Sequence, residues 1–157
     1  MKRSLVEHFP GRRMAFVVGP RQVGKTTLAR RLLRARKSTA LYRNWDDLKW
    51  RRALSRDPYG FVDELRPKSH AGKPLVVLDE IHRYPRWKRY IKGLWDTRSK
   101  QVDLLVTGSG RLDVYQRGGE RLGVQHKFLV LAEAREPGMA ADVHVIDAPS
   151  FLAALPV

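Results

Sequence analysis

At 157 residues and 43% apolar content the chain has the size of one compact domain with its own core. Its 31 Lys+Arg against 16 Asp+Glu give a formal charge of +15, which suits either a polyanionic partner such as DNA or RNA or a set of solvated basic helix faces. With no cysteine, no metal-ligand spacing among the five histidines and no apolar run long enough for a membrane span or secretory signal, the chain excludes disulfide, thiolate and zinc chemistry and reads as cytoplasmic.

The first predicted element is a short continuous apolar run, Met14 to Val18, the pattern of a strand buried on both faces. It leads directly into Gly19-Pro20-Arg21-Gln22-Val23-Gly24-Lys25-Thr26-Thr27, which fits G-x-x-x-x-G-K-[ST] at every fixed position. Glycines let the backbone curl so that successive N–H groups face inward, and the following helix offers its positive end to phosphates. In that chemistry Lys25 reaches the β- and γ-phosphates, and the Thr26 hydroxyl ligates Mg²⁺. The helix itself is predicted over Thr26 to Arg36, with Leu28, Ala29, Leu32, Leu33 and Ala35 at helical spacing and Arg between them.

An edge-like strand is expected at Ala40 to Tyr42, a helix over Trp45 to Leu54, a stop at Asp57-Pro58 and a further helical turn at Phe61 to Leu65. Leu75 to Leu78 is the second strong buried strand, and it ends on Asp79-Glu80. Two carboxylates at the end of an apolar strand are costly unless they serve a ligand there, where doubly wound sheets bind theirs. Asp79 would then hold Mg²⁺ through its water shell, and Glu80 would orient or deprotonate an attacking water. His82 fits a supporting or capping contact better than a base, since Glu80 already occupies that role.

A helix over Trp87 to Thr97 carries a mixed cationic and aromatic sequence from Arg83 to Lys92. Trp87, Ile91 and Leu94 or Trp95 fall on one helical stripe and favour packing, while the basic residues leave nucleic-acid contact open. The third strand, Val102 to Val106, leads into Thr107-Gly108-Ser109-Gly110. Thr107 is either a sensor of the γ-phosphate or a satisfied turn threonine. Lys127 to Leu131 has the pattern of one more strand, and the alternation as a whole predicts an α/β fold with a mostly parallel sheet covered by helices on both faces.

Four blocks carry a resemblance: GPRQVGKTTL from Gly19, YRNWDD from Tyr42, LVVLDEIHRYPRWKRYIKGLWD from Leu75, and LLVTGSGRLDVYQRGGERL from Leu104. In order and spacing the chain resembles, over roughly Lys2 to Leu122, the prokaryotic AAA+-type ATPases that join an N-terminal ATPase domain to a C-terminal domain of unknown function. The resemblance implies a P-loop NTPase three-layer sandwich that takes ATP and Mg²⁺. It puts Lys25 and Thr26 in the phosphate loop, Asp79 and Glu80 at the metal and the water, and Thr107 in the sensor position. It also implies a homo-oligomer in which a neighbour's arginine completes the site, with Arg111, Arg117 and Arg121 as unranked candidates.

The sequence departs from that family where Gly123-Val124-Gln125 stands in place of a Gly-Arg-aromatic segment. Lys and Arg outnumber Asp and Glu 29 to 12 over residues 1–124, and stand 2 to 4 after them. The expectation is therefore a core over residues 1–131 and a short atypical tail over 132–157, either a frameshifted or truncated replacement or a natural short form. Hydrolysis is expected to be weak or absent in such a form. Three functions compete: an ATPase core, a P-loop transferase, and a nucleic-acid-binding module switched by nucleotide without turnover. The first has most in its favour, because an acid following the strand Asp selects water as acceptor.

Overall fold

The computed structural model describes residues 14–35, 39–65, 72–109, 126–131, 138–140 and 143–147. In chain order the elements are β1 (Met14–Gly19), α1 (Lys25–Ala35), β2 (Ala40–Asn44), α2 (Leu48–Arg56), α3 (Gly60–Asp63) and β3 (Leu75–Asp79). A 3₁₀ turn (Ile81–Arg83) follows, then α4 (Trp87–Arg98), β4 (Asp103–Ser109), β5 (His126–Leu131), β6 (Gly138–Ala140) and β7 (Val143–Asp147).

The strands form one sheet in the order β2-β3-β4-β1-β5-β7-β6, parallel throughout except where β6 meets β7. Its register aligns Gly19 with Ser109 and Asn44 with Asp79, so the carboxyl ends of β1, β2, β3 and β4 share one edge. That edge is where open parallel sheets bind ligands.

Side-chain alternation divides the core into two layers. Val17, Leu75, Val77 and Leu105 point to one face, where Leu28 and Ala29 of α1 cover them. Met14, Phe16, Val18, Val76, Leu78, Leu104 and Val106 point to the other, against Trp50 and Leu54 of α2 and Trp87, Ile91, Leu94 and Trp95 of α4. Helices therefore cover both faces, the three-layer α/β arrangement expected from the alternating pattern. Each fully buried aliphatic or aromatic side chain in these layers contributes roughly 1.5–3 kcal/mol by its removal from water.

Several boundaries shift for local chemical reasons. The second helix starts at Leu48, not Trp45, because the Asp47 carboxylate accepts from the Lys49 N–H at 2.8 Å and the Trp50 N–H at 3.3 Å, fixing the start there. Asp57 stops the same helix and primes the next, its carboxylate accepting from the Tyr59 and Gly60 N–H groups at 3.1 and 2.8 Å. Arg98 clamps Asp63 with two parallel hydrogen bonds of 2.8 and 2.9 Å, tying α4 to α3. The packing account of the Trp87 helix holds: Trp87, Tyr90, Ile91, Leu94 and Trp95 are buried.

Beyond β5, the short β6 and β7 were given no strand in the sequence analysis. β7 pairs in parallel with β5, so residues 143–147 extend the same sheet. No helix among the described residues is long and apolar enough to cross a membrane.

Candidate functional site

The end of β1 and the start of α1 are joined by Pro20 to Gly24, a turn with two residues at positive φ. Gln22 sits at φ 65° and Gly24 at φ 86°. Glycine takes that conformation without strain, whereas Gln22 is held in it by the tight curl of the loop. The Leu28 N–H donates to the Gly24 carbonyl at 2.8 Å, so helical bonding begins immediately after the curl.

Lys25 is buried at 6% exposure, and its Nζ donates to the carbonyls of Gly19, at 3.0 Å, and Pro20. Burial lowers its pKa below the usual lysine value, while the nearby Glu80 and Asp79 carboxylates oppose that shift. The ammonium is thus folded over the loop, with two carboxylates across the cleft.

Asp79 is the hub of the cleft. It is 1% exposed, and its Oδ2 accepts from Thr26 Oγ1 at 2.8 Å and from the Tyr42 hydroxyl. Its Oδ1 accepts from Thr107 Oγ1, which is fully buried. The geometry follows from strand parity: Val77 and Leu105 face α1, so Asp79 and Thr107, two residues further along each strand, face it too. On β2 the same parity turns Tyr42 toward α1. Three adjacent strands therefore deliver polar groups to the foot of the helix that carries Thr26.

Glu80 leaves the strand in the left-handed region, φ 55°, at the start of the 3₁₀ turn. A non-glycine residue there is strained, and such strain concentrates at functional sites. Its Oε2 lies 3.7 Å from His82 Nε2, which in turn is 2.9 Å from Ser109 Oγ. Burial lowers the His82 pKa; Glu80 works against that shift, and Arg83, Lys25 and Arg21 add to it. Burial therefore favours the neutral imidazole, whose Nε2 meets Ser109 Oγ.

The site thus brings together Gly19, Pro20, Arg21, Gln22, Val23, Gly24, Lys25, Thr26 and Thr27 on one connection, with Asp79, Glu80 and Thr107 facing it. Arg111, Arg117, Arg121 and the Gly123-Val124-Gln125 departure lie outside the described residues.

Two residues escaped the sequence reading. Tyr42 was seen only as the end of an edge strand, and Ser109 only as part of a turn. Ala40 and Tyr42 share the face that α1 covers. Burial pushes the Tyr42 phenol up to about 12, reinforced by its hydrogen bond to Asp79.

As a metal site the donors are sparse and hard: one hydroxyl and one carboxylate, already 2.8 Å apart. No cluster of three or more His, Cys, Asp or Glu suited to a metal occurs among the described residues. That donor set fits Mg²⁺, which keeps most of its waters and binds through one or two protein oxygens together with substrate phosphates.

Comparison with known proteins adds one finding to this geometry. The family described as an AAA domain matches residues 11–133. No curated protein matches the chain.

Proposed function

The chain belongs to the AAA domain family, and from that membership we propose that it binds ATP with Mg²⁺ at the Gly19–Thr27 loop and hydrolyses it, slowly, to ADP and phosphate. The observation that carries this reading is the convergence of Thr26, on the loop, with Asp79, on β3, through a 2.8 Å hydrogen bond.

In this reading the loop N–H groups and the start of α1 receive the phosphates, and Lys25 exchanges the Gly19 and Pro20 carbonyls for phosphate oxygens. Thr26 and Asp79 would hold Mg²⁺, which would supply positive charge to neutralise the phosphates. Glu80 is the base that orients water and accepts its proton. Its turned-out backbone frees the carboxylate from the strand and leaves it 3.7 Å from His82, on the Ser109 side. Thr107, bonded to Asp79, ties the position of β4 to that carboxylate and is the group through which loss of the γ-phosphate would be felt.

Calorimetric titration with ATP, with and without Mg²⁺, tests the binding half. Saturable, Mg²⁺-strengthened binding that Lys25→Ala removes is expected, and an unchanged affinity in that variant would rule the reading out.

A further inference from the structure

On the face of the sheet opposite α1, a groove of about 440 Å³ opens between the residue following β2, the α2–α3 connection and the start of α4. Trp45, Tyr59, Tyr84 and Tyr90 line it, together with Arg86 and Arg89.

The rings are organised before any ligand arrives. Trp45 and Tyr84 stack at 4.7 Å with 22° between their planes, and Tyr59 and Tyr90 stack at 5.7 Å with 26°. Tyr84 meets Tyr90 edge-on at 6.1 Å, which joins the two pairs, and the Tyr90 hydroxyl donates to the Pro58 carbonyl at 3.0 Å. Tyr90 is buried and anchors the set, while Trp45, Tyr59 and Tyr84 remain half-buried and keep ring area toward the groove.

Cations flank the rings. Arg86 and Arg89 are exposed, and the Arg51 guanidinium lies 5.2 Å from the Trp45 ring centroid. Of the neighbouring carboxylates, Asp46 pairs with Arg83 and Asp63 with Arg98, Asp57 accepts from the Tyr59 and Gly60 N–H groups, and Asp96 stands near Tyr59 opposite Arg89. Rigid aromatic faces beside exposed guanidinium groups match a ligand that alternates flat bases with phosphates. The groove volume suits one base with its flanking backbone, at the lower end of the range of small-ligand sites.

We infer that this groove binds single-stranded nucleic acid, a base lying against the Tyr59 and Tyr84 rings while Arg86 and Arg89 hold the adjoining phosphates. The chemistry is common to DNA and RNA. It is independent of the ATP reading, since every residue in it lies outside the phosphate loop and its facing strands.

The test uses the full chain without nucleotide and follows the fluorescence anisotropy of labelled oligothymidylate and oligouridylate at low salt. A duplex and an abasic strand of the same length serve as comparisons. Binding is expected for single strands, weaker by roughly ten-fold or more for the abasic strand and the duplex, and falling as salt rises. The oligothymidylate and oligouridylate arms tell which sugar is preferred, and binding of either supports the proposal. Arg86→Glu/Arg89→Glu is expected to weaken binding by roughly ten-fold or more. Arg31→Glu/Arg34→Glu on α1, an equal change of charge away from the groove, is expected to weaken it by no more than about three-fold. Equal weakening by both pairs, equal affinity for the abasic strand, or no binding at low salt would each overturn the proposal.

Discussion

Thr26 and Asp79, 53 positions apart, meet through a 2.8 Å hydrogen bond from the Thr26 hydroxyl to Asp79 Oδ2. The contact joins the first turn of α1 to the end of β3, and it pairs the hydroxyl and the carboxylate that would hold Mg²⁺ in the proposed site. Thr26→Val keeps the branched shape and removes the oxygen. ATP affinity in the presence of Mg²⁺ is expected to fall by about ten- to hundred-fold, with little change in its absence. Titrations in Mg²⁺ and in chelator check this, and an equal loss in both would place Thr26 outside the metal's contacts.

Thr107 is fully buried, and its hydroxyl satisfies Asp79 Oδ1. Thr107→Val leaves a buried carboxylate oxygen short of a donor, which costs about 1–3 kcal/mol. A lowered unfolding midpoint in urea is expected, and a midpoint equal to that of the unsubstituted protein would show that the Thr107 hydroxyl does not support Asp79.

Tyr42, Tyr59 and Tyr90 all have phenols raised by burial, Tyr42 to about 12. The folded state therefore holds these protons more tightly than the unfolded chain. Their contribution is fully present below the unfolded tyrosine value of about 10 and is lost as pH climbs through the folded values. Stability should fall between pH values of about 10 and 12, and the tyrosinate absorbance lost on replacing Tyr42 by Phe should belong to the late part of that window. Tyr42→Phe is expected to flatten part of the decline. A tyrosinate signal complete near a pH of about 10 would contradict the burial of these rings.

Much of the site was legible in the sequence because its parts lie at strand ends. The glycine loop follows an apolar run and Asp79-Glu80 closes another, so parallel-sheet geometry alone puts them on one edge. Tyr42 was not legible in the same way. Its role depends on β2 lying beside β3, and strand order is not written in local periodicity. The His82–Ser109 contact depends likewise on β3 and β4 being neighbours. The start of α2 was misplaced because Trp45 continues an apolar pattern, while the Asp47 cap overrides it. In β6 the signal is weak because Gly138–Ala140 is too short to show alternation, whereas β7 does carry apolar residues at Val143, Val145 and Ile146.

The most direct measurement of the central claim is ATP hydrolysis followed beside ATP binding in the unsubstituted protein, Glu80→Gln and Lys25→Ala. The account predicts Mg²⁺-dependent turnover that Glu80→Gln lowers by about a hundred-fold or more while ATP affinity stays within a few-fold, and no ATP binding in Lys25→Ala. Turnover unchanged in Glu80→Gln, or ATP affinity unchanged in Lys25→Ala, would contradict it.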